Sequence, residues 1–115
     1  MSFVKTSELE FILTSHQVGL KKIIENQGKD SIIPQIALGL LKKEEEISIH
    51  KHKSMIEYYY FLRGRGEFII ESQTFNCKPG VFIKVKNDLK HSLKANEDLE
   101  FFYFGINTKK NEKIF

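Results

Sequence analysis

The sequence predicts an all-β fold, an antiparallel sandwich or barrel. Short segments rich in Val, Ile, Phe, Tyr and Leu recur at regular spacing, with turn residues (Gly, Pro, Asn, Asp) between them. Helical spacing is confined to one N-terminal stretch. Ten Phe and four Tyr without any Trp point to a core of packed flat rings.

The elements follow in order. Ser7 to Ser15 can form one short helical turn, because Leu9, Ile12 and Leu13 share helix-like spacing behind Ser7 as a cap. From Gly19 the chain reads as strands. Gly19–Glu25 is followed by the polar turn Asn26–Ser31, and Ile32–Leu41 is a longer strand with Pro34 near its start, where a missing donor is tolerable. Lys42–Glu46 is a charged turn. Ile47–His52 alternates in polarity, Glu57–Arg63 is aromatic, and Gly64-Arg65-Gly66 reverses the chain. Glu67–Glu71 and Gln73–Asn76 follow, then the turn Lys78-Pro79-Gly80. Val81–Val85, Lys90–Ala95 and Leu99–Asn107 complete the set.

A chain of 115 residues, 41% of them hydrophobic, makes one domain with one core. The expected organisation is a barrel over residues 19–107 and a basic tail over 108–115. No stretch approaches the apolar length of a membrane span, and the N-terminus lacks the basic-then-apolar order of a signal peptide. The one cysteine, Cys77, cannot close an internal disulfide. It reads as a small buried apolar residue in a cytoplasmic protein. The net charge of +3 is mild, and no basic helix, RNA-binding aromatic motif or zinc-finger spacing is present, so no nucleic-acid partner is expected. Scattered lysines protect strand edges and keep the protein soluble; some can also draw an anionic substrate.

The chemistry lies in His50, His52, Glu57 and His91. Residues two apart in a strand face the same way, so His50 and His52 point together while Lys51 and Lys53 point oppositely. Glu57 heads the next strand, and His91 must come from a strand distant in sequence. Singly, each has an ordinary surface explanation. Together, neutral imidazoles and one carboxylate suit one divalent ion (Fe, Mn, Ni, Zn or Co) and leave coordination positions open, as a catalytic metal requires. His16 fits no spacing and reads as a surface or cap residue. With Glu57 facing the site, strict alternation brings Tyr59, Phe61 and Arg63 to the same face. Phe61 reads as core, and Tyr59 as a pocket wall or a proton donor. Gly64-Arg65-Gly66 is a hairpin turn with no following helix, so it is not a phosphate loop.

These residues resemble the two motifs of the cupin superfamily, in particular its small single-domain members. The first motif, G-x5-H-x-H-x3–4-E-x6-G, stands here as Glu44-x5-His50-x-His52-x4-Glu57-x6-Gly64, with Glu44 replacing the opening glycine. The second, G-x5-P-x-G-x2-H-x3-N, aligns on Gly80-x5-Lys86-x-Asp88-x2-His91, with Lys86 and Asp88 replacing proline and glycine and Ala95 replacing asparagine. The resemblance spans Leu41 to Asn107. It implies a double-stranded β-helix, the jelly-roll barrel, holding one metal on His50, His52, Glu57 and His91. Asp88 must then adopt a backbone conformation usual for glycine, which Asp tolerates.

A fold of this kind hosts many chemistries. The first expectation is a metal-dependent isomerase or epimerase acting on a sugar or sugar phosphate in bacterial carbohydrate or surface-polysaccharide metabolism. Tyr59 and Lys90 are its candidates for proton transfer. The alternatives are an iron-dependent dioxygenase of a small metabolite and a non-catalytic ligand-binding protein. The apolar runs Ile32–Leu41 and Leu99–Phe104 exceed what one small barrel buries, so a homodimer is expected.

Overall fold

The computed structural model describes residues 3–108, so the expected basic tail lies outside it except for Thr108. A single 3-10 turn, Thr6–Glu8, precedes ten strands: β1 (Ile12–Leu13), β2 (Leu20–Asn26), β3 (Gln35–Leu41), β4 (Glu46–His50), β5 (Met55–Arg63), β6 (Gly66–Ile70), β7 (Gln73–Cys77), β8 (Phe82–Val85), β9 (His91–Ala95) and β10 (Leu99–Asn107). They form a six-stranded sheet in the order β1-β2-β3-β10-β5-β8 and a four-stranded sheet in the order β4-β9-β6-β7. All pairings are antiparallel. This is the jelly-roll expected from the sequence.

Most strand boundaries fall within two residues of those expected. The helical stretch is shorter than expected: Ser7 lies inside the 3-10 turn instead of capping it, and Ile12 and Leu13 are extended and pair with Lys21 and Leu20. Nothing caps the turn through a side chain, while the edge of β2 offers backbone partners that an isolated turn lacks. β3 begins only after Pro34, whose carbonyl accepts from the Gln27 N–H at 2.8 Å.

The core lies between the sheets. Phe61, Leu41, Leu99 and Phe101 of the larger sheet meet Phe68, Leu93, Ala95 and Cys77 of the smaller. Phe61 is fully buried and packs against Phe68 and Phe101 at centroid distances of 6.5 and 5.6 Å; truncating such a ring costs about 3–5 kcal/mol. Cys77 is buried as expected, and burial pushes its thiol pKa up to about 12, far from a nucleophile's range.

Two departures from alternation decide which side chains look inward. On β5, the pairing shifts so that Phe61 opposes Phe101 but Arg63 opposes Glu100. The extra residue turns Arg63 outward, where it pairs with the Glu100 carboxylate at 3.5 Å. Strict alternation had placed it with Glu57. On β4, a shift between Ile47 and His50 leaves Ile47 against the core while Ile49 is 63% exposed. His50 thereby joins the inward face.

The hairpin after β5 depends on Gly64. Its φ is +86°, and a Cβ there would lie 2.0 Å from the Asp98 carbonyl oxygen. Only glycine fits.

Candidate metal centre

Three separate pieces of chain converge at one end of the barrel. β4 delivers His50 and, just past its end, His52; β5 delivers Glu57; β9 begins with His91. His91 is the direct cross-strand partner of His50. One donor atom from each of the four side chains can be chosen so that all lie within 4.8 Å of one another. The sequence thus named four residues that the fold brings together.

The turn carrying His91 forms despite its departures from the motif. Asp88 takes φ +66°, the glycine-like conformation expected of it, and its N–H donates to the His52 carbonyl at 2.7 Å. The Asn87 amide donates to the Lys53 carbonyl at 3.1 Å. Two loops that each present a histidine are thereby tied together. Glu44, in the place of the opening glycine, is also left-handed at φ +75°.

Hydrogen bonds set the tautomers. Nδ1 of His50 lies 2.8 Å from the Ser48 carbonyl, and Nδ1 of His91 lies 2.9 Å from the Leu89 carbonyl. A carbonyl only accepts, so each Nδ1 carries its proton and Nε2 is the atom left for a cation. The His91 ring is also fixed by stacking on Phe68, with centroids 5.9 Å apart and planes 6° from parallel.

Glu57 ties the centre together. Its Oε1 accepts from His91 Nε2 at 2.9 Å and from the Tyr59 hydroxyl at 3.1 Å, and lies 3.4 Å from His52 Nε2. Burial opposes ionisation of Glu57, but the bond from His91 and the nearby imidazoles outweigh it and hold the carboxyl below its ordinary value. Burial likewise opposes charge on His91, yet its bonds to Glu57 and to the Leu89 carbonyl raise its pKa. Both His91 nitrogens face acceptors, the Leu89 carbonyl and the Glu57 carboxylate, which favours the protonated ring. Burial, the largest influence on His50, lowers its pKa and favours the neutral ring.

One observation tests whether a metal fits. His52 Nε2 is buried and makes no hydrogen bond, which costs free energy unless a partner arrives. It faces a carboxylate and two imidazoles. That set of nitrogen and oxygen donors suits a divalent transition metal.

The family profile of the cupin domain matches residues 38–105, well over half of the chain. The chain belongs to the cupins. No protein of curated function matches its sequence. Solved structures of similar fold include a protein from Thermotoga maritima described as a predicted oxalate decarboxylase, at 24% identity, TM-score 0.76, and covering 92% of this chain and 99% of that one. KdgF from Halomonas sp. aligns at 14% identity and TM-score 0.78 over 98% of each chain. Ectoine synthase from P. lautus aligns at 16% identity and TM-score 0.78 over 99% of this cupin and 86% of that chain. At these identities the likeness is one of fold.

Beside the four residues lies a cavity of about 250 Å³. His52, Glu57 and Tyr59 line it, together with Leu20, Lys21, Gln35, Met55, Phe101, Tyr103 and others. Tyr59 is a wall, as expected, and also a donor that orients Glu57; its phenol is held protonated by burial and by the adjacent carboxylate. Tyr103 is pushed up to about 12 by the same causes. The structure does not bring Lys90 to the cavity. His91 turns inward, so its neighbour Lys90 turns outward and is exposed.

His16 is exposed, as a surface residue was expected to be, but nothing in the sequence signalled that it reaches the site. The N-terminal segment folds over the mouth of the cavity and lays this ring 4.5 Å from that of His50. A hydrogen bond from the His16 N–H to Thr14 Oγ1, and one from that hydroxyl to the Val18 carbonyl, hold the turn. No spacing rule links position 16 to position 50. Lys21 and Gln35 were likewise unmarked.

Proposed function

We propose that this cupin is a metal-dependent enzyme of the isomerase or epimerase type, acting on a small oxygen-bearing substrate. The observation that carries the proposal is the buried, unbonded Nε2 of His52, set among three further donors within ligating range. His50, His52, Glu57 and His91 would hold one divalent ion, whose identity among Fe, Mn, Ni, Zn and Co the donor set leaves open. Such an ion supplies Lewis-acid polarisation of a substrate carbonyl or hydroxyl without redox change.

The chain's own residues then divide the work. Tyr59 holds the Glu57 carboxylate in place through its hydroxyl. Apolar side chains form much of the cavity wall. His16, at the mouth, is positioned to take or return a proton at a ring nitrogen. Burial lowers its pKa, which favours the basic form at neutral pH.

A sugar or sugar phosphate, in carbohydrate or surface-polysaccharide metabolism, is the finer form of the proposal. The small, largely apolar cavity favours a short substrate over a long polyhydroxylated one. A cytoplasmic site of action belongs to the same reading and rests on the single buried thiol; among the described residues no helix is long and apolar enough to cross a membrane. So does a homodimer. The outer face of the larger sheet presents Phe82 at 59% and Tyr60 at 42% exposure beside Tyr58 and Phe104, and a solution mass of 13.5 kDa would contradict pairing.

The test is proton exchange. Protein reconstituted with zinc is incubated in heavy water with a panel of small aldoses, ketoses, oxo acids and their phosphates, and deuterium incorporation beside the carbonyl is read by NMR. Exchange is expected with at least one member and is lost in His91→Ala. Oxygen consumption restricted to iron-loaded protein, with no exchange, would instead favour the dioxygenase.

A further inference from the structure

The cavity contains a cation that the metal centre does not use. Lys21 stands on β2 opposite Gly39 of β3, and both line the cavity. A Cβ at Gly39 would lie 2.5 Å from the Phe101 ring, so the missing side chain lets that ring lie across the strand beside the lysine. The Lys21 ammonium donates to Gln35 Oε1 at 2.8 Å. Because an ammonium only donates, this bond engages the amide oxygen of Gln35 and leaves its amide N–H groups to other acceptors.

The pair therefore offers only N–H donors and one positive charge. Among the described residues Lys21 forms no ion pair and is the only lysine or arginine lining the cavity. The only carboxylate among those lining residues, Glu57, is engaged by His91 and Tyr59. A part-buried cation without a counterion is costly, and a ligand is the natural source of one. Much of the remaining wall is apolar: Leu20, Leu41, Ile47, Met55 and Phe101. Lys21 and His16 line the same cavity as His52 and Glu57, and the His16 ring lies against that of His50, so the ammonium and the centre serve one space.

We propose that the cavity takes a small organic acid, its carboxylate on Lys21 and Gln35, its apolar middle on the walls and a second oxygen toward His52 and Glu57. The proposal rests on the preceding reading for its site and replaces the sugar or sugar phosphate there with a different class of substrate. A carboxylate matches the single charge of the pair better than a phosphate dianion does.

The probe is levulinate, a ketone joined to a carboxylate by a short apolar spacer. Its neutral methyl ester and dihydroxyacetone phosphate serve as comparisons. Each is titrated calorimetrically into zinc-loaded and metal-free protein, with zinc content measured separately. Levulinate is expected to bind both forms, at least about tenfold more tightly than the ester, the range of one charge-assisted contact. Lys21→Met abolishes that preference, Lys21→Arg retains it, and zinc content is unchanged in both. Gln35→Leu, which keeps the charge, weakens levulinate and not the ester. Equal binding of acid and ester, absence of levulinate binding, or tighter binding of the phosphate would overturn the proposal. Loss of zinc binding with the acid preference intact would instead strike only the metal reading.

Discussion

His50 and His91 are direct cross-strand partners on β4 and β9, and their imidazole centroids lie 4.2 Å apart inside the barrel. This depends on the irregularity between Ile47 and His50. Strict alternation would bury Ile47 and Ile49 together and send His50 to solvent. Ile49→Thr is therefore expected to change stability by less than about 0.5 kcal/mol. Ile47→Thr should cost about 1–2 kcal/mol. Chemical denaturation followed by circular dichroism checks both, and equal costs would contradict the bulge.

Tyr59 reaches Glu57 through its hydroxyl alone, while its ring packs on Phe68 at a centroid distance of 4.9 Å. Tyr59→Phe keeps the ring and removes the orienting bond. Metal affinity is expected to fall by about tenfold, as for loss of other groups that position a ligand. Competition against a chromophoric chelator reads this directly. An unchanged affinity would reduce Tyr59 to a wall.

Gly64 closes the hairpin that follows the site strand. Gly64→Ala must push its Cβ against the Asp98 backbone and hold a left-handed φ, at a cost of about 3 kcal/mol. At Gly80, also left-handed but with open space around its Cβ, Ala should cost about 1 kcal/mol. Melting temperatures of the two variants, measured together, separate steric from purely conformational strain.

The stability of chelator-treated protein should vary with pH in a signed way. The Glu57 carboxyl lies below its ordinary 4.5 when folded, so its contribution is present above pH 4.5 and disappears as pH falls through the lowered value. His91 lies above its ordinary 6.5, so its contribution is complete below pH 6.5 and disappears as pH rises through the raised value. His50 and His16 act oppositely. Burial favours their neutral forms, so the unfolded chain takes up their protons first and stability falls below pH 6.5. Melting temperature across this range, compared with His91→Gln, checks the signs. The variant should lose the component of decline seen above pH 6.5.

The sequence revealed what depends on spacing. Strand positions followed from periodicity and turn residues, and the four ligand candidates from one compact motif and one degraded one. Asp88 was legible as a left-handed residue because the motif demanded glycine there. What escaped has no signature along the chain. His16 reaches His50 because an N-terminal segment folds across the barrel mouth, and Lys21 meets Gln35 because two strands pair. Arg63 and Ile49 were turned outward by bulges, which overrule alternation where the ladder shifts by one residue. Lys90 could have been set aside by parity, since the strand read over Lys90–Ala95 already put it and His91 on opposite faces.

Elemental analysis of protein purified without chelator, beside His91→Ala and His16→Ala, is the most direct test. Four side chains gripping one ion require close to one equivalent of a divalent transition metal in the native chain and in His16→Ala, and its loss in His91→Ala. No bound metal after incubation with each of the five ions, or full retention in a folded His91→Ala, would contradict the centre.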